Sequence, residues 1–412
     1  MTSNPLNPVE SSERHIILDL LRGIALFGIC LANFGEFSLY TFLPSEATAT
    51  MPTARADSVG RFLQYLFIDG KFYTLFSLLF GIGFSIILSN ASRKGVNGMR
   101  LFYRRMIILF IIGLCHLLLL WAGDILILYA VAGMFLPLFW KASDRRLLTW
   151  AVTMLLLPIA IDGCVELFGW NLSAPVVAAT HHFHRLAGIT DANFPVWLAE
   201  KQSYAEVLQF NLAGAFIRMQ EFIEGNRLFK VFGLFLLGLY IGRQRLYARL
   251  DEERGLLQRV MRYGFLIGLP ASLLYAWEAT GGHPFGLTGH SVIYAVSVVP
   301  LSLAYTATIC LWYMKRRNLK WFGVLAAPGR MALTNYIMQS VFGIVLFYGI
   351  GFEWGARTGF VHVELIAAGI FLVEVLYSNY WLKWFRYGPL EWGWRMLTYG
   401  KRLKLLRERE KQ

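Results

Sequence analysis

Residues 16–35 read IILDLLRGIALFGICLANFG, an apolar run interrupted only by Asp19, Arg22 and Asn33. At a rise of 1.5 Å per residue such a run is about 30 Å long as a helix, the thickness of bilayer hydrocarbon. Nine further runs follow, near 71–90, 101–121, 124–140, 147–166, 228–243, 261–278, 291–314, 331–352 and 360–384. Composition agrees with this count: 56% of residues are apolar, 16% are charged and the mean hydropathy is +0.49, whereas soluble domains carry about 25% charged residues. The expected fold is all-α, a polytopic integral membrane protein with about ten transmembrane helices around a polar central cavity. It forms one domain over 1–412: a five-helix half over 1–166, an outward-facing connection over 167–227, a second five-helix half over 228–384 and a basic tail over 385–412.

Charge placement orients these helices. Arg93, Lys94, Arg100, Arg104 and Arg105 follow the second run, Lys141, Arg145 and Arg146 the fourth, six arginines over Arg243 to Arg262 the sixth, and Lys315, Arg316, Arg317 and Lys320 the eighth. The alternate connections, Trp121 to Asp124, Gly281 to His290 and Gly351 to Gly359, are almost without cations. By the positive-inside rule the cationic loops are cytoplasmic, so both termini are expected in the cytoplasm. This placement accounts for the net charge of +13 without a nucleic-acid partner, which would need a soluble basic face. Asp19 and Arg22 inside the first run argue against a cleaved signal peptide. The four cysteines lie in apolar segments with no CxxC pair, so neither a disulfide framework nor a metal is expected. Pro44, Pro52, Pro175 and Pro195 interrupt any helix over 36–70 and 167–227, and the final KRLKLLREREKQ reads as a solvated basic helix beside anionic headgroups.

A charge within a spanning helix costs roughly 2.5–3.5 kcal/mol on insertion scales, so each one needs a reason. Asp19 and Arg22 share one helical face and neutralise one another, or Arg22 offers a fixed cation to a phosphate or developing anion. Asn33 stands eleven residues beyond Arg22, about 16 Å along the helix. Asp69 opens the second run and suits a helix N-terminus, with Lys71 and Tyr73 behind it. His116 in the third run and Asp124 at the start of the fourth are placed to meet, and an imidazole oriented by a carboxylate is the usual general base; equally, Asp124 is a natural N-cap. Asn335, Gln339, Glu364 and Glu374 extend a polar interior that lines a cavity or joins helices. Gly238 and Gly242 allow close helix packing. No GxSxG, HExxH, Walker or GxGxxG motif occurs.

The stretches LDLLRGIALFGICLAN (18–33), DGKFYTLFSLLFGIG (69–83), GLCHLLLLWAGDILILYA (113–130), APGRMALTNYIMQS (327–340) and FRYGPLEWGWRMLTYGK (385–401) together closely resemble the YeiB-like family of bacterial inner-membrane proteins, a domain of unknown function. The first stretch is also similar to the opening helix of the transmembrane acyltransferase superfamily, which includes the lysosomal heparan glucosaminide acetyltransferase and bacterial envelope O-acyltransferases. That resemblance implies an acyl group, acetyl in the first instance, moving from cytoplasmic acetyl-CoA or another acyl-CoA to a small-molecule or envelope-glycan acceptor at or beyond the outer face. It implies that Arg22 and Lys71 hold donor phosphates or the thioester oxyanion, with Arg330, Arg386 and Arg395 at the CoA entrance. The histidine that follows the arginine in the O-acyltransferase branch is replaced by Asn33, so His116 is expected to take the acceptor proton and Asp124 to fix its tautomer. Asn33, Asn335 and Gln339 would then position polar groups, while Glu391 pairs with Arg395 one turn away. The alternative is a proton-coupled small-molecule transporter using the intramembrane His, Asp and Glu. A two-fold homodimer is the default assembly.

Overall fold

A chain surrounded by lipid must satisfy its backbone internally, as helices or as a closed barrel. The computed structural model describes residues 15–190, 193–200 and 202–407, and these are helical, with one isolated antiparallel bridge in place of any sheet. In chain order the helices are α1 (Ile16–Phe37), α2 (Ser45–Ala49), α3 (Ala54–Phe67), α4 (Lys71–Arg93), α5 (Gly98–Leu119) and α6 (Leu126–Phe135). Next come α7 (Asp144–Phe168), α8 (Ala174–Leu186), α9 (Phe194–Ala199), α10 (Tyr204–Glu224), α11 (Arg227–Arg243) and α12 (Arg254–Thr280). The chain ends with α13 (Gly286–Lys315), α14 (Lys320–Arg330), α15 (Ala332–Phe347), α16 (Phe360–Trp384) and α17 (Pro389–Tyr399).

Among the described residues, six helical runs are long and apolar enough to cross a membrane: Ile16–Phe37, Ala54–Arg93, Gly98–Leu119, Asp144–Phe168, Gly286–Lys315 and Phe360–Trp384. The protein is a helical membrane protein. Each of the ten apolar runs of the sequence coincides with a helix, but α6, α11 and α15 have only 10, 17 and 16 residues, and α12 begins with Arg254, Arg259 and Arg262.

α1 packs against α4, α14, α15 and α16, and α4 in turn against α11 and α5. Between lipid-soluble helices there is little hydrophobic gain, so small residues that admit close backbone approach matter most. A Cβ on Gly23 would stand 2.0 Å from the Leu325 carbonyl oxygen, and one on Gly238 would stand 2.2 Å from that of Leu78. These contacts seat α14 on α1 and α11 on α4, as the Gly238 and Gly242 spacing anticipates.

The long connections differ from expectation. Pro175 and Pro195 sit in the first turns of α8 and α9, where the missing N–H costs nothing; they start helices instead of breaking them. The 167–227 segment also holds the 21-residue α10, whose N-terminus is closed by a Ser203–Glu206 capping box. The tail is likewise not a helix over 401–407: Gly400, at φ +66°, ends α17. The chain then returns extended, with Arg386 N–H donating to Leu405 and Arg407 N–H to Trp384. Residues 408–412 of the expected basic helix lie outside the described residues.

Candidate functional site

Polar side chains inside a bilayer collect where they find partners or water. Here several of them line one chamber of about 560 Å³ that follows the length of α1, from Asp19 and Arg22 to Asn33 and Glu36, while the rest find partners between helices. At its first end Arg22, Arg93, Arg105, Arg245, Arg330 and Arg395 line the wall. The waist is apolar, formed by Leu26, Phe76, Phe80, Met106 and Leu126. Beyond it lie Asn33, Glu36, Asp69, Tyr73, Arg218 and Arg227.

The arginine-lined mouth is braced by its neighbours. Arg22 donates to Asp19 at 2.7 Å, the local pair that the spacing predicts. Arg105 stacks 3.7 Å over the Trp394 ring, a contact worth about 0.5–2 kcal/mol, and the Trp394 indole donates to the Arg105 carbonyl. Arg395 lies 4.8 Å over Tyr387. Glu391 does not pair with Arg395 as its spacing suggests. Its carboxylate accepts from the Leu333 and Thr334 N–H groups at 2.7 and 3.0 Å and from the Thr334 hydroxyl at 2.6 Å, closing the exposed N-terminus of α15, whose positive dipole end draws it there. Burial raises this carboxyl above the usual range, against the hydrogen bonds from Thr334 and Leu333. At the same mouth, burial and then the Arg245 guanidinium lower the His15 imidazole below its usual value.

At the far end Arg218 reaches inward from α10. It pairs with Glu221, donates to the Gly123 carbonyl and stands 3.9 Å from Glu36 of α1. Its buried Nε has no hydrogen-bond partner, a donor left open at the chamber wall. Neither Arg218 nor Glu36 stands out in the sequence; the one signal is a lone arginine in the otherwise apolar FNLAGAFIRM stretch of 210–219.

The other expected site residues divide. His116 and Asp124 do meet, at 2.9 Å, and Asp124 also accepts from Ile127 N–H at 2.8 Å, so it both orients the ring and caps α6. The second ring nitrogen is bound to Ser340 Oγ at 2.8 Å. The triad is sealed, with His116 and Asp124 each 1% exposed; the chamber wall ends at Gly123, Ile125 and Tyr336 beside it. Lys71 is not at the arginine-lined mouth. It is fully buried behind the wall, donating to the Tyr65 carbonyl and lying 4.8 Å over Tyr275. Asp69 does line the chamber but caps no helix: it accepts from the Tyr275 hydroxyl. Asn33 lies within α1 and does not end it. Asn335 is bonded to Pro328, Ser378 and Tyr377, and Gln339 to Glu374, joining α15 to α14 and α16 away from the chamber. Arg386 is absent from the wall, its backbone joined to the tail. A separate cluster, Glu278, His283 and His290, joins α12 to α13.

The family described as "Protein of unknown function (DUF418)" matches residues 241–401. The chain is 31% identical over 402 residues to "Uncharacterized protein YxaH" of Bacillus subtilis (strain 168), covering 96% of each. It is 27% identical over 414 residues to "Uncharacterized protein YeiB" of Escherichia coli (strain K12), covering 94% of this chain and 96% of the relative. A "39.9 kDa protein in amylase 3'region" of Bacillus acidopullulyticus is 27% identical over 98% of this chain and 99% of its own length. No solved structure matches. Matched along nearly its whole length to YxaH, and over residues 241–401 to the family model, the chain belongs to the DUF418 family of YeiB-like proteins.

Proposed function

We propose that the protein is a membrane acyltransferase that takes an acyl group, acetyl by preference, from cytoplasmic acyl-CoA and delivers it to a hydroxyl acceptor, a small molecule or envelope glycan, at the opposite face. The single supporting observation is the chamber: cationic at one end, apolar at the waist, and closed at the other end by a carboxylate facing an incompletely bonded guanidinium. In this reading ten helices cross the inner membrane, both termini are cytoplasmic and the arginine-lined mouth opens inward.

Roles follow from position. Arg22, Arg93, Arg245 and Arg330 hold the nucleotide phosphates, which planar guanidinium groups bind in bidentate fashion. The apolar waist carries the pantetheine arm, so that the thioester reaches Arg218. Glu36 accepts the acceptor's hydroxyl proton as its oxygen attacks the thioester carbon. Arg218 stabilises the oxyanion, the C–S bond breaks, and the proton passes from Glu36 to the departing thiolate. The products are the acyl ester and free CoA. The proton-accepting role falls on Glu36 because it lines the chamber, whereas His116 has both ring nitrogens engaged by Asp124 and Ser340 behind the wall.

Purified protein in detergent should bind acetyl-CoA and lose that binding in Arg22→Ala. Glu36→Gln should bind normally and fail to release CoA in the presence of acceptor. Absence of CoA binding by the wild-type protein overturns the assignment.

The break between α14 and α15 at Met331, beside Arg330 on the chamber wall, favours a second reading. Discontinuous helices facing a cavity recur in transporters. Substrate-driven proton flux in liposomes, without any acyl product, would establish a proton-coupled transporter.

A further inference from the structure

The end of α12 and the start of α13 meet in a cluster that the acyl-transfer reading does not use. Glu278 is 0% exposed, yet its carboxylate is held by histidines: His283 Nδ1 lies 2.7 Å from Oε1 and His290 Nδ1 lies 2.8 Å from Oε2. No lysine or arginine among the described residues forms an ion pair with it. The buried carboxylate is thus met by two imidazole nitrogens and by no such cation, and uncompensated burial of charge is costly.

The backbone is bent to make this meeting possible. His283 adopts φ +58°, a left-handed conformation rarely taken by residues other than glycine, between Gly282 and Gly286 at φ +81° and +67°. Its N–H bonds back to the Glu278 carbonyl at 3.1 Å. Glu166 of α7 anchors the other side of the turn by accepting from Leu287 N–H and the Thr288 hydroxyl. The three donor atoms thereby lie within 4.8 Å of one another.

We infer that Glu278, His283 and His290 form a binding site for a zinc-class divalent cation. Two imidazole nitrogens and one carboxylate oxygen are the three-ligand set that leaves a fourth tetrahedral position open, and here that position faces solvent, because His283 is 54% and His290 28% exposed. Ligand bonds of about 2.0–2.2 Å require only that the two N···O contacts widen by about half an ångström and the imidazoles turn inward. Each imidazole ligates through Nδ1 with its ring proton carried on Nε2, and the cation supplies the positive charge that the buried carboxylate lacks. Imidazole selects zinc, copper and nickel, whereas calcium and magnesium require oxygen donors.

The full-length protein, purified in detergent and stripped with a chelator, should take up one Zn²⁺ per chain in calorimetry, and Co²⁺ should give the intense visible absorption of a tetrahedral site. His283→Ala and His290→Ala should each weaken binding by more than the roughly 10–100-fold that loss of an outer-shell partner costs, with Ca²⁺ giving no heat. His283→Asn, whose amide still donates to Glu278 and which tolerates the left-handed turn, should melt close to the wild-type protein in chelator, which separates ligand loss from misfolding. The inference is overturned if the stripped protein takes up no zinc at micromolar concentration, or if His283→Ala binds zinc as the wild type does.

Discussion

At the scale of single residues, the contrast between Glu36 and His116 decides how the chamber works. His116→Ala strands Asp124 and Ser340 inside the fold, and each unsatisfied buried group costs about 1–3 kcal/mol. That variant should melt well below the wild type in detergent yet retain the donor's Kd when assayed cold. Glu36→Gln should melt normally and lose turnover; a variant pair behaving the other way round would return the proton-accepting role to His116. Arg218 calls for a gentler change, because removing one partner of a buried ion pair costs about 3–5 kcal/mol. Arg218→Lys keeps the charge but loses the fork that reaches Glu221, Gly123 and Glu36. We expect turnover to fall about 100-fold, the scale of one lost oxyanion donor, with CoA affinity unchanged in calorimetry.

At the scale of helices, α4 and α11 approach because Gly81 and Gly238 leave no side chain between them: a Cβ on Gly81 would stand 2.2 Å from the Phe235 carbonyl. Gly81→Leu should separate the pair and destabilise the protein by about 1–3 kcal/mol or more, read as a lower Tm. Gly83, two residues along, has open space within 4 Å of where a Cβ would stand, so Gly83→Ala should be neutral or stabilising by up to about 1 kcal/mol. Local features of this kind are legible in the sequence. The Asp19 and Arg22 pair, the meeting of His116 with Asp124 across a short turn, and the Gly238 and Gly242 face all depend on contacts within one helix or its neighbour. What cannot be read there is direction. Lys71 points to Tyr65 and Tyr275 and away from the mouth, while Glu391 bonds to α15 in preference to its own helix. Arg218 is equally hard to place, since the prolines of the 167–227 segment mask the helix that carries it. His283 and His290 give no signal for a related reason: cysteine pairs and regular spacing announce most metal sites, whereas these ligands are brought together by a left-handed turn that no spacing rule marks.

At the scale of the whole molecule, the chamber joins one end of the bundle to the other, and its mouth concentrates positive charge beside two titratable groups. Burial and then Arg245 lower the His15 imidazole below its usual value, and burial raises the Glu391 carboxyl. On the proposed reading, a bound polyphosphate favours the protonated form of each, so proton uptake should accompany binding. By linkage, donor affinity should rise as pH falls below the ordinary imidazole value of 6.5. Calorimetry in buffers of different ionisation enthalpy should show protons taken up; release of protons would contradict this account of the mouth. Affinity should also fall with added salt, because guanidinium groups near solvent are screened.

α1 and α17, far apart in the chain, share the mouth: Arg22 contributes from one, Glu391 and Arg395 from the other. Domains form progressively as a chain is made, but this opening lacks a side until α17 has been made and the returning segment has been tied to the end of α16. A chain that stops ahead of α17 lacks Glu391 and Arg395 at this opening, so on the proposed reading it should thread the membrane and yet fail to bind its donor.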